Sequence, residues 1–223
     1  MDQNFPKWLR LVVNKLSFLA VPNIGGILAG VAVFSFLMNM TSPASMSQFL
    51  FDPVAIIYGG EWWRCFTFPF LAGFDSPLGV IFYCLFTYYI LGILESHWGA
   101  GPLTVYLLFS YLCAMAGSLI ALYPINLTTY MLQNISLAVG TLLPNLEFYI
   151  YFLFPVKAKW LAMFSGALLI VQFINPPVAQ MRIVLGFAFI PYLLFFVPLG
   201  IRTARNSWKI RKNRRKFDQS MWR

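Results

Sequence analysis

Long stretches without charge are the feature that most constrains this chain. Several runs of about 17 residues or more contain no acidic or basic side chain, and this length crosses the hydrocarbon core of a bilayer. With 60% hydrophobic and 10% charged residues, a soluble domain of this size cannot enclose its apolar surface in one core. We therefore predict an all-α polytopic membrane protein. The six predicted spans are residues 23–40, 78–94, 103–122, 131–144, 160–174 and 183–199.

Two shorter segments flank the predicted membrane domain, which covers residues 23–200. Residues 1–22 mix basic and apolar side chains at helical spacing, which is typical of an amphipathic helix lying in the membrane interface. Residues 201–223 form a basic tail. In the first span, Gly26-x-x-x-Gly30 indicates either a close-packing face or ordinary glycines of a transmembrane helix, and both interpretations are open at this point.

The distribution of positive charge decides between classes of partner. A net charge of +9 and a pI near 9.6 suggest nucleic acid in a soluble protein, but nine of the sixteen Lys and Arg follow directly after the last apolar run. With both termini in the cytoplasm, fourteen basic residues lie on that side, and only Arg64 and Arg182 lie on the other. We predict this multi-pass topology in a bacterial inner membrane or an internal eukaryotic membrane, with no nucleic-acid partner.

The tail carries a basic stripe that indicates its partner. A positively charged helix beside a membrane attracts anionic lipid by about 1 kcal/mol per charge near the surface. Anionic lipid is therefore the predicted contact, and an acidic protein partner is the more specific alternative. The residues of the stripe, at helical spacing, are Arg202, Arg205, Lys209, Lys212 and Lys216.

Charged residues are also placed at two points beside the apolar runs. In the long loop after the first span, Glu61 and Arg64 flank Trp62-Trp63, and this spacing predicts an ion pair in a loop whose aromatic residues suit the membrane interface. Glu95 closes the second span. It either caps a neighbouring helix or pairs with a lysine, and a solvated helix end is the plainer interpretation.

This pattern resembles the rhomboid superfamily. The resemblance rests on Glu61-Trp62-Trp63-Arg64 in the first loop, on "YILGILE" (residues 89–95) at the end of the second span, and on "FPVKAKW" (residues 154–160) before the fifth. It covers residues 23–199, nearly the whole membrane domain. It implies a six-transmembrane-helix rhomboid-like bundle whose long first loop dips sideways into the bilayer.

Rhomboid proteases use a serine at the start of the fourth helix, and Ser136 lies at that position by the resemblance. The flanking glycines of the family motif are replaced by Asn134 and Leu137. The sixth span contains no histidine, and Val184 lies near the place of the family's catalytic base. Val80 and Cys84 lie where the family's oxyanion-stabilising pair belongs, and neither side chain is a useful donor to an oxyanion.

No other residue of the chain is a convincing base. The only histidine, His97, follows the second span at the opposite end from Ser136, on the order of 20 Å away at about 1.5 Å per helical residue, whereas a general base must lie within about 3 Å. We predict that Ser136 hydrogen-bonds to a helix carbonyl or a neighbouring span instead. The cysteines Cys65, Cys84 and Cys113 show no metal-ligand spacing, so no cofactor or metal is predicted.

Because the chain resembles the family but does not have its catalytic residues, the resemblance implies a pseudoprotease, as derlins are. By the same resemblance we expect a protein that binds transmembrane clients or partner membrane proteins, in quality control or as a scaffold. The open lateral side between the second and fifth spans, together with local thinning of the bilayer by short spans such as the fourth, is expected to help a client leave or be held. The alternative is an active intramembrane serine protease that uses Ser136. A small-solute transporter needs polar groups along a mid-membrane path, and these spans contain very few.

Overall fold

A computed structural model describes residues 15–16, 20–42, 48–67, 76–150 and 154–198. The predicted N-terminal amphipathic helix falls almost entirely outside these residues. The tail residues predicted to contact lipid also lie outside them: Arg202, Arg205, Lys209, Lys212 and Lys216.

The described chain is mostly helical, and four of its helices are long and apolar enough to cross a membrane. They are α1 (Ile24–Thr41), α4 (Pro77–Trp98), α5 (Ala100–Ala121) and α8 (Met181–Pro198). The remaining elements are α2 (Pro53–Gly59), α3 (Arg64–Thr67), α6 (Leu127–Leu142), β1 (Glu147–Ile150), β2 (Phe154–Lys157) and α7 (Ala158–Ile174). The prediction of a helical membrane protein is confirmed at this level.

Capping residues set the bounds of α4. The Ser76 hydroxyl accepts the Gly79 N–H at 3.1 Å, so the helix begins beside a side-chain cap. It then continues past the predicted end at residue 94, because the polar residues there are compatible with a helix. It ends at Gly99, whose φ of 86° is unfavourable for other residues and whose N–H donates to the Glu95 carbonyl at 2.7 Å.

The helices α6 and α7 are shorter than the other apolar helices. The Asn126 side chain accepts the Thr128 N–H at 3.0 Å, and this cap starts α6 four residues before the predicted position. The 16 residues of α6 and 17 of α7 rise about 24 and 26 Å, less than the roughly 30 Å of a typical hydrocarbon core. A short fourth span was predicted from the sequence, and α6 is the helix at its position.

A two-stranded antiparallel hairpin, which sequence analysis did not predict, connects α6 to α7. Its register pairs Glu147 with Lys157, and their charged groups approach to 3.9 Å. The Ala158 N–H donates to the Leu146 carbonyl at 2.7 Å, which ties the base of the hairpin to the start of α7. The strands lie between the predicted fourth and fifth spans and are an addition to the predicted all-α fold.

Close pairs of helices are α1 with α4 and α6 with α7, and α5 also approaches α8, where a Cβ on Gly117 would lie 2.7 Å from the Phe187 Cβ. In the first pair a Cβ on Gly25 would lie 3.0 Å from the Leu91 Cβ, so this glycine allows close approach. Gly26 and Gly30 do not serve this purpose. A Cβ on Gly26 would meet the side chain of Asn23, and one on Gly30 would have no heavy atom within 4 Å. Within the described helices, the Gly26-x-x-x-Gly30 pattern is therefore not a packing face.

Candidate functional site

The loop after α1 is braced by the predicted ion pair. The Arg64 Nε lies 2.5 Å from a Glu61 carboxylate oxygen, and Arg64 Nη1 donates to the Leu50 carbonyl at 3.0 Å. Arg64 is buried, whereas its neighbour Trp63 is 54% exposed. A buried guanidinium needs these acceptors to offset its desolvation. The prediction of a Glu61–Arg64 ion pair is confirmed, and its role in holding the loop is structural.

Glu95 receives a backbone donor from the start of α1. Its Oε1 accepts the N–H of Asn23 at 3.0 Å, and Asn23 is the residue that precedes α1. A carboxylate at a helix N-terminus satisfies a free N–H and interacts favourably with the helix dipole. Of the two predicted roles, the capping of a neighbouring helix is the one observed.

Ser136 lies in the middle of α6, and its hydroxyl is already used. The Oγ donates to the Leu132 carbonyl of the same helix at 2.9 Å, and the residue is 7% exposed. This is the back-bonding geometry common for serine within a helix. The prediction that Ser136 bonds to a helix carbonyl is confirmed.

Asn134 connects α6 to two other helices. Its Nδ2 donates to the Ala188 carbonyl of α8 at 2.9 Å, and its own carbonyl accepts the Tyr106 hydroxyl of α5 at 3.0 Å. Asn134 is 3% exposed and Tyr106 is fully buried. Polar contacts between helices in lipid stabilise an assembly by about 1 kcal/mol each. We call Tyr106, Asn134 and Ala188 the polar clasp.

Pro191 interrupts the backbone hydrogen bonds of α8 next to the clasp. A proline inside a helix has no N–H and its ring crowds the carbonyl four residues earlier, here Phe187. The carbonyl that Asn134 contacts, that of Ala188, is the next one along the chain. Pro191 is fully buried.

The other positions at which the resemblance predicted the remnants of a catalytic site carry apolar or hydrogen-bonded side chains. Val184 is fully buried against α5, where a Cβ on Gly117 would lie 3.2 Å from the Val184 Cα. Val80 is also buried, and the Cys84 Sγ donates to the Ala29 carbonyl of α1 at 3.3 Å. Cys84 therefore joins α1 to α4 and has no role around Ser136.

The two described helices joined at Asn134, α6 and α8, contain no side chain that acts as a general base for Ser136. Neither α6 nor α8 contains a histidine, a lysine or a carboxylate, and the only charged residue in the two helices is Arg182. Arg182 donates to the Ile174 carbonyl at 3.0 Å, and an arginine stays protonated in proteins. His97 is exposed in the last turn of α4. In the described part of the chain, no three His, Cys, Asp or Glu side chains form a group able to hold a metal ion.

Sequence reasoning did not identify the clasp. Asn134 was noted only as a replacement for a motif glycine, and Tyr106 and Ala188 were not singled out. An asparagine within an apolar run was the available signal, because an amide in lipid needs partners. Neither a protein-family model, nor a curated protein, nor a solved structure matches this chain.

Proposed function

We propose that this chain is a catalytically inactive, rhomboid-like membrane protein that binds transmembrane clients. One observation carries the proposal: the Ser136 hydroxyl donates to its own helix, and the amide two residues earlier bonds α8. The residues at the family's nucleophile position therefore stabilise the helix bundle. An unactivated serine without a base is a poor nucleophile, and loss of triad members removes most of the rate enhancement.

The proposal includes six spans with both termini in the cytoplasm. The helices α6 and α7 serve as the fourth and fifth spans in addition to the four long ones. The charge distribution supports this topology, because only Arg64 and Arg182 then lie on the side opposite the termini. The basic tail follows α8 on the cytoplasmic side and contacts anionic lipid there.

The client surface in this proposal is formed by the outward faces of α4 and α7. Each of these helices packs closely on another helix, but α4 and α7 do not pack closely on each other in the described chain, which supports a side between them that faces lipid. Large apolar side chains lie exposed on both helices. On α4 they are Leu78, Ile81 and Leu85, and on α7 they are Met163, Phe164 and Ile170.

Short spans favour local thinning of the bilayer around α6 and α7. Spans of about 24 and 26 Å leave several ångströms of mismatch with a typical core. Each ångström costs a fraction of a kcal/mol, so a thinner region around the protein lowers the energy of the assembly. Such a region also favours the presence of clients with short or polar spans. A bilayer profile of uniform thickness around the reconstituted protein contradicts this part of the proposal.

Photo-cross-linking in the native membrane tests client binding. A benzophenone amino acid is placed at Leu85 of α4 or at Phe164 of α7, and the matched control position is Leu112 of α5, which is also exposed. We expect covalent adducts with other transmembrane proteins from the first two positions and few from Leu112. Equal labelling from all three positions, or adducts with lipid alone, overturns the proposal.

A further inference from the structure

Tyr88 is a polar residue in an unusual place. It lies ten residues before the end of α4 and eleven after its start, about 15 Å from either end of the helix. Its side chain is 55% exposed on the outer surface of the helix. In the described part of the chain its hydroxyl has no hydrogen-bond partner. Lipid tails provide neither donors nor acceptors, so this hydroxyl is unsatisfied at the depth where no water is present.

The neighbouring residues on this face allow another helix to approach. Gly92 lies one turn from Tyr88, and a Cβ at this position would have no heavy atom within 4 Å. Leu85 and Ile81 continue the same face with exposed apolar side chains. A small residue beside a polar one is the combination that membrane helices use to associate, because backbones come close and the polar group finds a partner.

From this face we infer that α4 docks a transmembrane helix carrying a hydrogen-bonding side chain at mid-bilayer depth, which pairs with the Tyr88 hydroxyl. The inference rests on the proposed function and names the chemistry that selects the client. A fully apolar helix fits the same face but leaves the hydroxyl unpaired. The selection therefore operates on one polar group in the middle of the client span.

Adjacent Tyr89 provides the matched control. It is 50% exposed on the same helix. Unlike Tyr88, it has a polar, ring or electrostatic interaction within the described part of the chain. Tyr88→Phe removes a hydroxyl that is free for a client, and Tyr89→Phe removes one from the same depth and helix. Both substitutions keep the aromatic ring, so packing with lipid and with α1 is preserved.

The test measures binding of two synthetic helices to the full chain in lipid nanodiscs by fluorescence transfer. Both probes are 21-residue Leu/Ala spans with lysine ends, and they differ only in a central Asn or Leu. We expect the Asn probe to bind the unmodified protein about three- to tenfold more tightly than the Leu probe, in line with single interhelical hydrogen bonds. The preference should disappear in Tyr88→Phe and persist in Tyr89→Phe.

The outcomes separate the two proposals. Binding of both probes with equal affinity, or a preference that survives Tyr88→Phe, overturns the role of Tyr88 and leaves client binding in place. Absence of binding by either probe contradicts both. Fluorescence transfer between two labelled copies of the protein that persists when the Asn probe is added shows that a second copy occupies the face. That result also overturns the inference.

Discussion

The two sides of α6 are built by different means. Towards α5 and α8, the polar clasp joins three helices through Asn134, and Tyr106 also packs on Phe195 with ring centroids 5.0 Å apart. Towards α7, in the described chain, no side-chain hydrogen bond joins the two helices, and the closest approach is between small residues around Gly140. Directional bonds fix one side in a single register, whereas the other side is held by apolar packing and close backbone approach. The helix on the side without directional bonds, α7, is one of the two helices that form the client surface in our proposal.

Replacement of Gly140 by alanine should have the largest effect on stability. A Cβ there would lie 2.1 Å from the Ala162 Cβ and 2.8 Å from the Ala158 carbonyl oxygen, so α6 and α7 must separate. We expect the free energy of unfolding to fall by about 3 kcal/mol, as measured by steric trapping in bicelles. Gly186→Ala on α8 is the control, because its Cβ would enter open space. Equal stability of the two variants would mean that this close approach is not the basis of the α6–α7 contact.

Asn134→Leu tests the opposite side of α6. The change keeps the volume of the side chain but leaves the Ala188 carbonyl without its donor, and we expect a loss of about 2 kcal/mol in the same assay. The adjacent Gln133→Leu is the control, because the buried Oε1 of Gln133 has no hydrogen-bond partner among the described residues. If both variants are equally stable, the clasp does not hold α8.

Tyr106→Phe removes the second bond of the clasp and keeps the aromatic packing. The expected loss in the free energy of unfolding is about 1 kcal/mol, the usual contribution of a neutral hydrogen bond. Tyr88→Phe, which removes a hydroxyl without a partner in the described chain, should leave the free energy of unfolding unchanged. A larger loss of unfolding free energy in Tyr88→Phe than in Tyr106→Phe would mean that the Tyr88 hydroxyl, and not the Tyr106 hydroxyl, is hydrogen-bonded within the protein.

Local sequence signals predicted much of the fold and part of the site. The apolar runs located α1, α4, α5 and α8 to within a few residues, because a bilayer requires long apolar helices. The Glu61–Arg64 pair followed from two charges three residues apart beside apolar runs. The Asn126 side-chain cap sets the start of α6, and there the start predicted from hydropathy was four residues too late.

Contacts between distant segments were beyond the reach of these signals. The bond from Asn134 to Ala188 spans 54 residues and depends on how α6 and α8 cross. The glycines at helix contacts were not identified from the sequence either. The spacing pattern singled out Gly26 and Gly30, but close approaches between helices occur at Gly25 and Gly140. The hairpin before α7 was missed because its aromatic segment indicates an interface without indicating strand pairing.

Ser136→Ala should have a smaller effect on stability than any substitution in the polar clasp. Its hydroxyl bonds only within α6, so its removal should change the free energy of unfolding by less than about 0.5 kcal/mol. Binding of clients should also be unchanged, as followed by the cross-linking yield from Leu85. A loss comparable to that of Asn134→Leu would show that Ser136 belongs to the polar clasp.

The most direct test of the central claim, that Ser136 is structural and not catalytic, is labelling with a fluorophosphonate. The purified chain in lipid nanodiscs is compared with Ser136→Ala and with an active rhomboid protease as positive control. We predict that the active protease is labelled and that neither form of this chain is, because no described group near Ser136 takes up its proton. Labelling of the unmodified chain that is lost in Ser136→Ala would contradict the account and establish an intramembrane serine protease.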